Sequence, residues 1–169
     1  MICDRFDKCL SLTQEKIGER CIECRKISND SNITCEEKGR RYNLQNDKKL
    51  DVINFLIDGG VYDKESQSKC DRLYYVFDKP KSSAIFIELK GKDVKHALEQ
   101  LMVTVSTHKE LFANDRKYFR IVCSGVPKIA NDKKCIKIKE ILLKNFNSIP
   151  LIRERVINEK YSVMVSEDN

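Results

Sequence analysis

Three residues in the stretch Lys69–Leu101, KCDRLYYVFDKPKSSAIFIELKGKDVKHALEQL, have the types and spacing for hydrolytic chemistry. Asp71 opens one apolar run, and Glu88 and Lys90 close the next. Side chains two apart on a strand share a face, so Glu88 and Lys90 point the same way. If 71–78 pairs antiparallel with 84–90 across the KPKSS turn, Asp71 comes beside Glu88 and Lys90. Two carboxylates so placed repel each other, and partial burial adds a desolvation cost. A hard divalent cation removes that conflict; Mg²⁺ takes one or two carboxylates plus waters and phosphate oxygens. The Leu89 carbonyl, between the pair, is a further candidate ligand. Lys90 could then meet a scissile phosphate or orient and help deprotonate an attacking water. The same set has little use in carbonyl or redox chemistry. The plainer alternative is a strand-end ion pair on the surface, worth little energetically.

The elements that must position these residues follow from hydrophobic period. LDVINFLIDGG (50–60) reads as a strand with Ile53, Phe55 and Ile57 on one face and Gly59-Gly60 as its stop. DRLYYVFD (71–78) and AIFIELK (84–90) are the next two strands, and short connections make the three an antiparallel meander. On the third, Ile85, Ile87 and Leu89 are expected to pack under a helix. From Val94 the period changes: Val94, Ala97, Leu98, Leu101, Met102 and Val105 form a helical stripe, with Asp93 as N-cap. KYFRIVCS (117–124) is a fourth strand and KCIKIKEILLKNF (134–146) a second amphipathic helix. Residues 151–165 read as one bent strand or a hairpin. Upstream, 5–26 has helical character, SNDSN (28–32) is a loop, and TCEEKGRRYNLQNDKK is expected to hold a short helix or a turn. The order predicts an α/β or α+β single domain with a central mixed sheet flanked by helices. Within it, 1–49 is an N-terminal helical, cysteine-containing extension, 50–125 the motif-bearing core and 126–169 a C-terminal helix and strand.

Asp71…Glu88-Leu89-Lys90 resembles the D…(D/E)-x-K signature of the PD-(D/E)XK nuclease superfamily, the restriction-endonuclease-like fold. The run FIELKG followed by an A-x-x-Q helix resembles its Holliday-junction-resolvase-like and phage-defence branches. The likeness covers roughly residues 50–125. It implies Asp71 and Glu88 as Mg²⁺ (or Mn²⁺) ligands with the Leu89 carbonyl, and Lys90 as the catalytic lysine. It also implies Gln100 as a residue that orients Lys90 or touches DNA. Two departures stand out: Cys70 replaces the proline before the Asp, and Thr104 stands where one branch has Tyr. Glu36 and Glu37 are candidates for an acidic residue that this family supplies from an early helix, and Asp58 for a further acidic ligand. The implied activity is metal-dependent phosphodiester hydrolysis of DNA, with RNA not excluded, in genome defence, recombination or repair. Duplex cutting implies a homodimer. The alternatives are a catalytically silent nucleic-acid- or protein-binding module of the same fold and a cysteine-metal interaction module.

Composition fits a globular chain of 169 residues, 34% charged and 41% hydrophobic, long enough for one sizeable core. Its net charge of +6 arises wholly after residue 70, where 19 Lys/Arg face 13 Asp/Glu. A basic surface attracts polyanions, and Lys92, Lys95, Arg116, Lys117, Arg120 and Lys128 are the expected phosphate contacts. No base-reading motif is visible, so no recognition sequence is expected. No apolar run approaches the ~18 residues of a membrane span, and MICDRFDKCLSLTQEK has charges where a signal peptide needs an apolar region. A soluble cytoplasmic protein with no membrane partner is expected, and its eight cysteines are expected to be reduced. Cys21-x-x-Cys24 is a single metal-knuckle pair; zinc normally needs a second one, so reduced thiols are expected, several of them packed as small apolar groups.

Overall fold

Alternating apolar residues build two sheets, one large and one small, that meet face to face. In the computed structural model, residues 25–62, 69–125 and 132–166 are described. Nine strands are found among them: β1 (Arg25–Ser28), β2 (Asn32–Glu37), β3 (Arg40–Gln45), β4 (Val52–Leu56), β5 (Arg72–Val76), β6 (Ser83–Lys90), β7 (Arg116–Cys123), β8 (Leu151–Glu154) and β9 (Val156–Lys160). Three helices accompany them: α1 (Val94–Thr107), α2 (Lys133–Phe146) and α3 (Tyr161–Ser166). The order in the large mixed sheet is β1-β4-β5-β6-β7-β8, and in the small one β2-β3-β9. The chain is thus a single α+β domain with a central mixed sheet flanked by helices, as expected.

β4, β5 and β6 form the expected antiparallel meander. β6 then pairs parallel with β7, and β7 parallel with β8. Parallel neighbours need a crossover, and α1 and α2 supply the two. The Asp93 carboxylate caps α1 by accepting from the His96 N–H at 2.9 Å, and the expected stripe is buried except for Met102, which is partly covered. Asp132 caps α2 in the same way.

Each face of the large sheet has its own apolar layer. Ile53, Phe55, Leu73, Ala84, Phe86, Phe119 and Ile121 pack with the apolar faces of α1 and α2. Val52, Tyr74, Val76, Ile85, Ile87, Leu89 and Val122 pack with Ile33, Cys35, Tyr42, Leu44 and Ile157 of the small sheet and Tyr161 and Met164 of α3. This corrects one expectation: Ile85, Ile87 and Leu89 lie under the small sheet, and the helices cover the Ala84–Phe86 face. Glu88 and Lys90 therefore share the helix side.

The N-terminal half departs further from expectation. The segment read as a short helix or turn is the hairpin β2–β3, with register Glu37↔Arg40. Its turn is Lys38-Gly39, both at positive φ (47° and 74°), the backbone of a two-residue hairpin turn that glycine tolerates at its second position. Nor is 151–165 a hairpin. Arg155 (φ 62°) turns the chain between sheets, so β8 joins the large one and β9 the small one, and α3 follows. The helical reading of 5–26 and the Cys21–Cys24 pair lie outside the described residues, except that 25–28 is strand. No described helix is long and apolar enough to cross a membrane.

Candidate active site

The site sits at one end of the large sheet, where β5 begins and β6 ends. Antiparallel register pairs Arg72 with Ile87, so Asp71 stands opposite Glu88 one step further on. The Asp71 N–H donates to Glu88 Oε2 at 3.2 Å, and Asp71 Oδ2 accepts the Leu89 N–H at 2.6 Å. Strand pairing thus fixes both carboxylates, and the backbone of Leu89 lies at the site. Lys90 Nζ lies 3.5 Å from Glu88 Oε1 and donates to Gln100 Oε1 at 2.7 Å. The three residues singled out by spacing, and Gln100, converge.

Glu88 is not half of a surface ion pair: it is 1% exposed. Burial, and then the charge of Asp71, push its carboxyl up to about 9 despite the opposing effect of Lys90. The Asp71 carboxyl is also raised, chiefly by burial, with Glu37 and Asp58 adding negative charge and the Leu89 N–H and Lys90 opposing. Acid charges therefore bear on both members of this pair: Glu88 feels Asp71, and Asp71 feels Glu37 and Asp58. Among the described residues, no three His, Cys, Asp or Glu side chains are grouped to hold a metal ion by themselves. The donor set is instead two hard-oxygen carboxyl groups, whose charged forms burial and mutual repulsion disfavour and a cation would stabilise. It fits Mg²⁺ or Mn²⁺, which are held by one or two carboxylates with water and phosphate.

Helix α1 braces the site with two side chains one turn apart. Gln100 Nε2 donates to the Lys69 carbonyl at 2.8 Å. Thr104 Oγ1 accepts the Cys70 N–H at 2.9 Å and donates to the Gln100 carbonyl at 2.8 Å. The residue that departs from the family pattern thus holds the backbone immediately before Asp71. The sequence signal for it was its position, i+4 from Gln100 on the same helix face.

Other expected residues fall elsewhere. Lys92 is exposed just before α1, and Lys95 is half-buried in its first turn, where its charge reaches Cys135 of α2. Arg116 and Lys117 lie at the opposite end of β7, where Arg116 pairs with Ser83, roughly 20 Å along the strands from Lys90. There they donate to the carbonyls of Lys81 and Asp115 respectively. Arg120 is a correction: it is buried and donates to Glu159 of β9 at 2.5 Å, tying the two sheets together. Its parity puts it under the small sheet, inside the protein. Lys128 lies outside the described residues. Glu36 and Glu37 belong to strand β2, not to a helix. Glu36 is engaged by Arg41 at 2.8 Å on the surface, and Glu37 is the one whose charge reaches Asp71. His96 is a solvated residue 3.7 Å from Glu99. Cys35, Cys70, Cys123 and Cys135 are free and buried, as small apolar groups.

Comparison of the chain with protein-family models, with curated proteins and with solved structures gives no match in any of the three.

Proposed function

We propose that this protein is a divalent-metal-dependent nuclease that hydrolyses phosphodiester bonds in DNA, along the lines of the PD-(D/E)XK superfamily its motif resembles. One observation carries the reading: Asp71 and Glu88 face each other across β5–β6, with Lys90 held on the same side by Gln100. The order of three sheet strands, a helix and a further strand around that pair agrees with the order the resemblance implies, and it supports the reading.

In this reading Asp71 and Glu88 bind Mg²⁺ or Mn²⁺, with the Leu89 carbonyl as a further ligand. The bound cation supplies positive charge near a scissile phosphate and an attacking water. Lys90 reaches the phosphate or positions that water, and Gln100 keeps its amine from collapsing wholly onto Glu88. Lys92 and Lys95 offer phosphate contacts at the rim, contributing affinity that falls with salt. A homodimer places two such sites on a duplex.

The test is to incubate the protein with plasmid, linear and branched DNA and with RNA, in Mg²⁺, Mn²⁺ or EDTA. Strand scission that needs the cation, and is lost in Glu88→Ala and Lys90→Ala proteins that remain folded, is expected. Folded wild-type protein that cuts none of these substrates with either cation would overturn the proposal.

A further inference from the structure

The tip of the β2–β3 hairpin reaches the same sheet end from the other layer. Glu37, the register partner of Arg40, is one of the charges felt by Asp71. Arg41 N–H donates to the Arg155 carbonyl at 2.9 Å, and Arg155 N–H to the Cys123 carbonyl at 2.9 Å. Cys123 is in turn the register partner of Lys90. Ser124 N–H donates to the Gly91 carbonyl at 2.9 Å, so Arg40, bonded to Ser124, lies where β6 and β7 end, at the sheet end that carries the carboxylate pair.

Its surroundings there are unusual for a guanidinium. Arg40 is 8% exposed, yet no carboxylate among the described residues lies within ion-pair distance of it. Among the described residues its one side-chain hydrogen bond runs from Nη1 to Ser124 Oγ at 3.2 Å. Its Nε is buried without a partner. A buried, unpaired donor on a charged group is costly, and arginine's planar fork is suited to two oxygens of one phosphate. Ser124 is exposed, so the ligand side of this pair opens to solvent. A role in hairpin packing alone needs the arginine stem but leaves the charge without purpose.

We propose that Arg40 and Ser124 form a subsite for a backbone phosphate of the nucleic acid, bordering the carboxylate pair. An arriving phosphate would meet the outer edge of the guanidinium and balance its charge, while Nε stays inside, and the hydroxyl of Ser124 supplies a further donor. The subsite fixes where the backbone runs relative to Asp71 and Glu88, and it is contributed by the hairpin, which lies outside the motif-bearing core. The inference rests on the nuclease reading, but its measurement needs neither cation nor cleavage.

Binding is read by fluorescence anisotropy in EDTA, with labelled duplex DNA, single-stranded DNA and single-stranded RNA of about 20 nucleotides, between about 50 and about 200 mM salt. Arg40→Gln is expected to weaken binding of the preferred probe about tenfold and to reduce the salt slope by about one. Arg40→Lys keeps the charge but not the fork, so it should retain the slope and lose part of the affinity. Ser124→Ala, at an exposed position, should lose severalfold. Unchanged affinity in Arg40→Gln, or no binding of any probe by the wild type, overturns the subsite. Should Arg40→Gln fail to fold, unchanged affinity in Ser124→Ala overturns it equally. Loss of binding in these variants from a wild type that never cleaves would retain the subsite and remove the nuclease activity instead.

Discussion

Asp71 and Glu88 are cross-strand neighbours that hold each other's surroundings in place: the peptide N–H of Asp71 donates to the Glu88 carboxylate, and the Asp71 carboxylate accepts from the residue after Glu88. The arrangement orients two acids side by side while burying one of them completely. Strand pairing supplies the free energy that keeps them together.

That arrangement makes the metal-free protein pH-sensitive. The carboxyl of Glu88 is pushed up to about 9 by burial and by Asp71, whereas in the unfolded chain it titrates near 4.5. Between those values the unfolded state has released a proton that the folded state keeps, so stability falls as pH rises through this window. Thermal melts without metal should show Glu88→Gln stabilised relative to wild type at pH 8 and nearly equal to it at pH 4. The gain should be on the order of a few kcal/mol. A wild type whose melting point does not fall across the window contradicts the buried neutral acid.

In the proposed reading, cation binding drives off that proton. Affinity for Mn²⁺, read by calorimetry, should tighten by up to about tenfold per pH unit between pH 6 and 8. Protons released should appear as a dependence of the binding enthalpy on buffer. Glu88→Gln should remove both the tightening and the release.

Gln100 joins Lys90 to the Lys69 carbonyl, so under the proposed nuclease reading its replacement separates catalysis from binding. Gln100→Leu should lower single-turnover cleavage by about tenfold or more, since a misplaced catalytic group commonly costs that much. Anisotropy should show nucleic-acid affinity little changed. Equal loss of both would assign Gln100 to substrate binding instead.

Thr104→Val keeps the side chain's shape and removes its hydroxyl. The buried Cys70 N–H then loses its acceptor, which should cost about 1–3 kcal/mol in denaturant melts. Thr104→Ser should restore most of it. A Val variant as stable as wild type would show that the brace before Asp71 is dispensable.

The Arg120–Glu159 pair should behave as a tie between the sheets. Removing one partner, as in Arg120→Met, leaves the other charge buried and should cost about 3–5 kcal/mol. The double variant Arg120→Met with Glu159→Leu should recover much of that. Urea melts of the four proteins of the cycle measure the coupling, and a coupling near zero would contradict the buried pair.

Much of this protein was legible from local pattern. The period-2 runs of β4, β5, β6 and β7, the 3.6-residue stripe of α1, the Asp93 cap and the shared face of Glu88 and Lys90 all depend on neighbours within one element. Short connections then dictated the meander, and the meander brought Asp71 to Glu88. The β2–β3 hairpin was legible too in principle: Ile33 and Cys35, then Tyr42 and Leu44, alternate on either side of Lys38-Gly39.

What covers each face of a strand is a different kind of question, because hydrophobic period says that a face is buried but not by what. Ile85, Ile87 and Leu89 would suit a helix or a sheet equally well; only the return of β9 beside β3, from residues more than a hundred positions away, puts a second sheet over them. The same long-range pairing buries Arg120 against Glu159, turns an expected surface cation into an internal tie, and carries Arg40 to the sheet end where β6 and β7 stop. Residue spacing determined which groups could act together. The stacking of two sheets distant in sequence decided which charges face solvent and which are left inside to be matched.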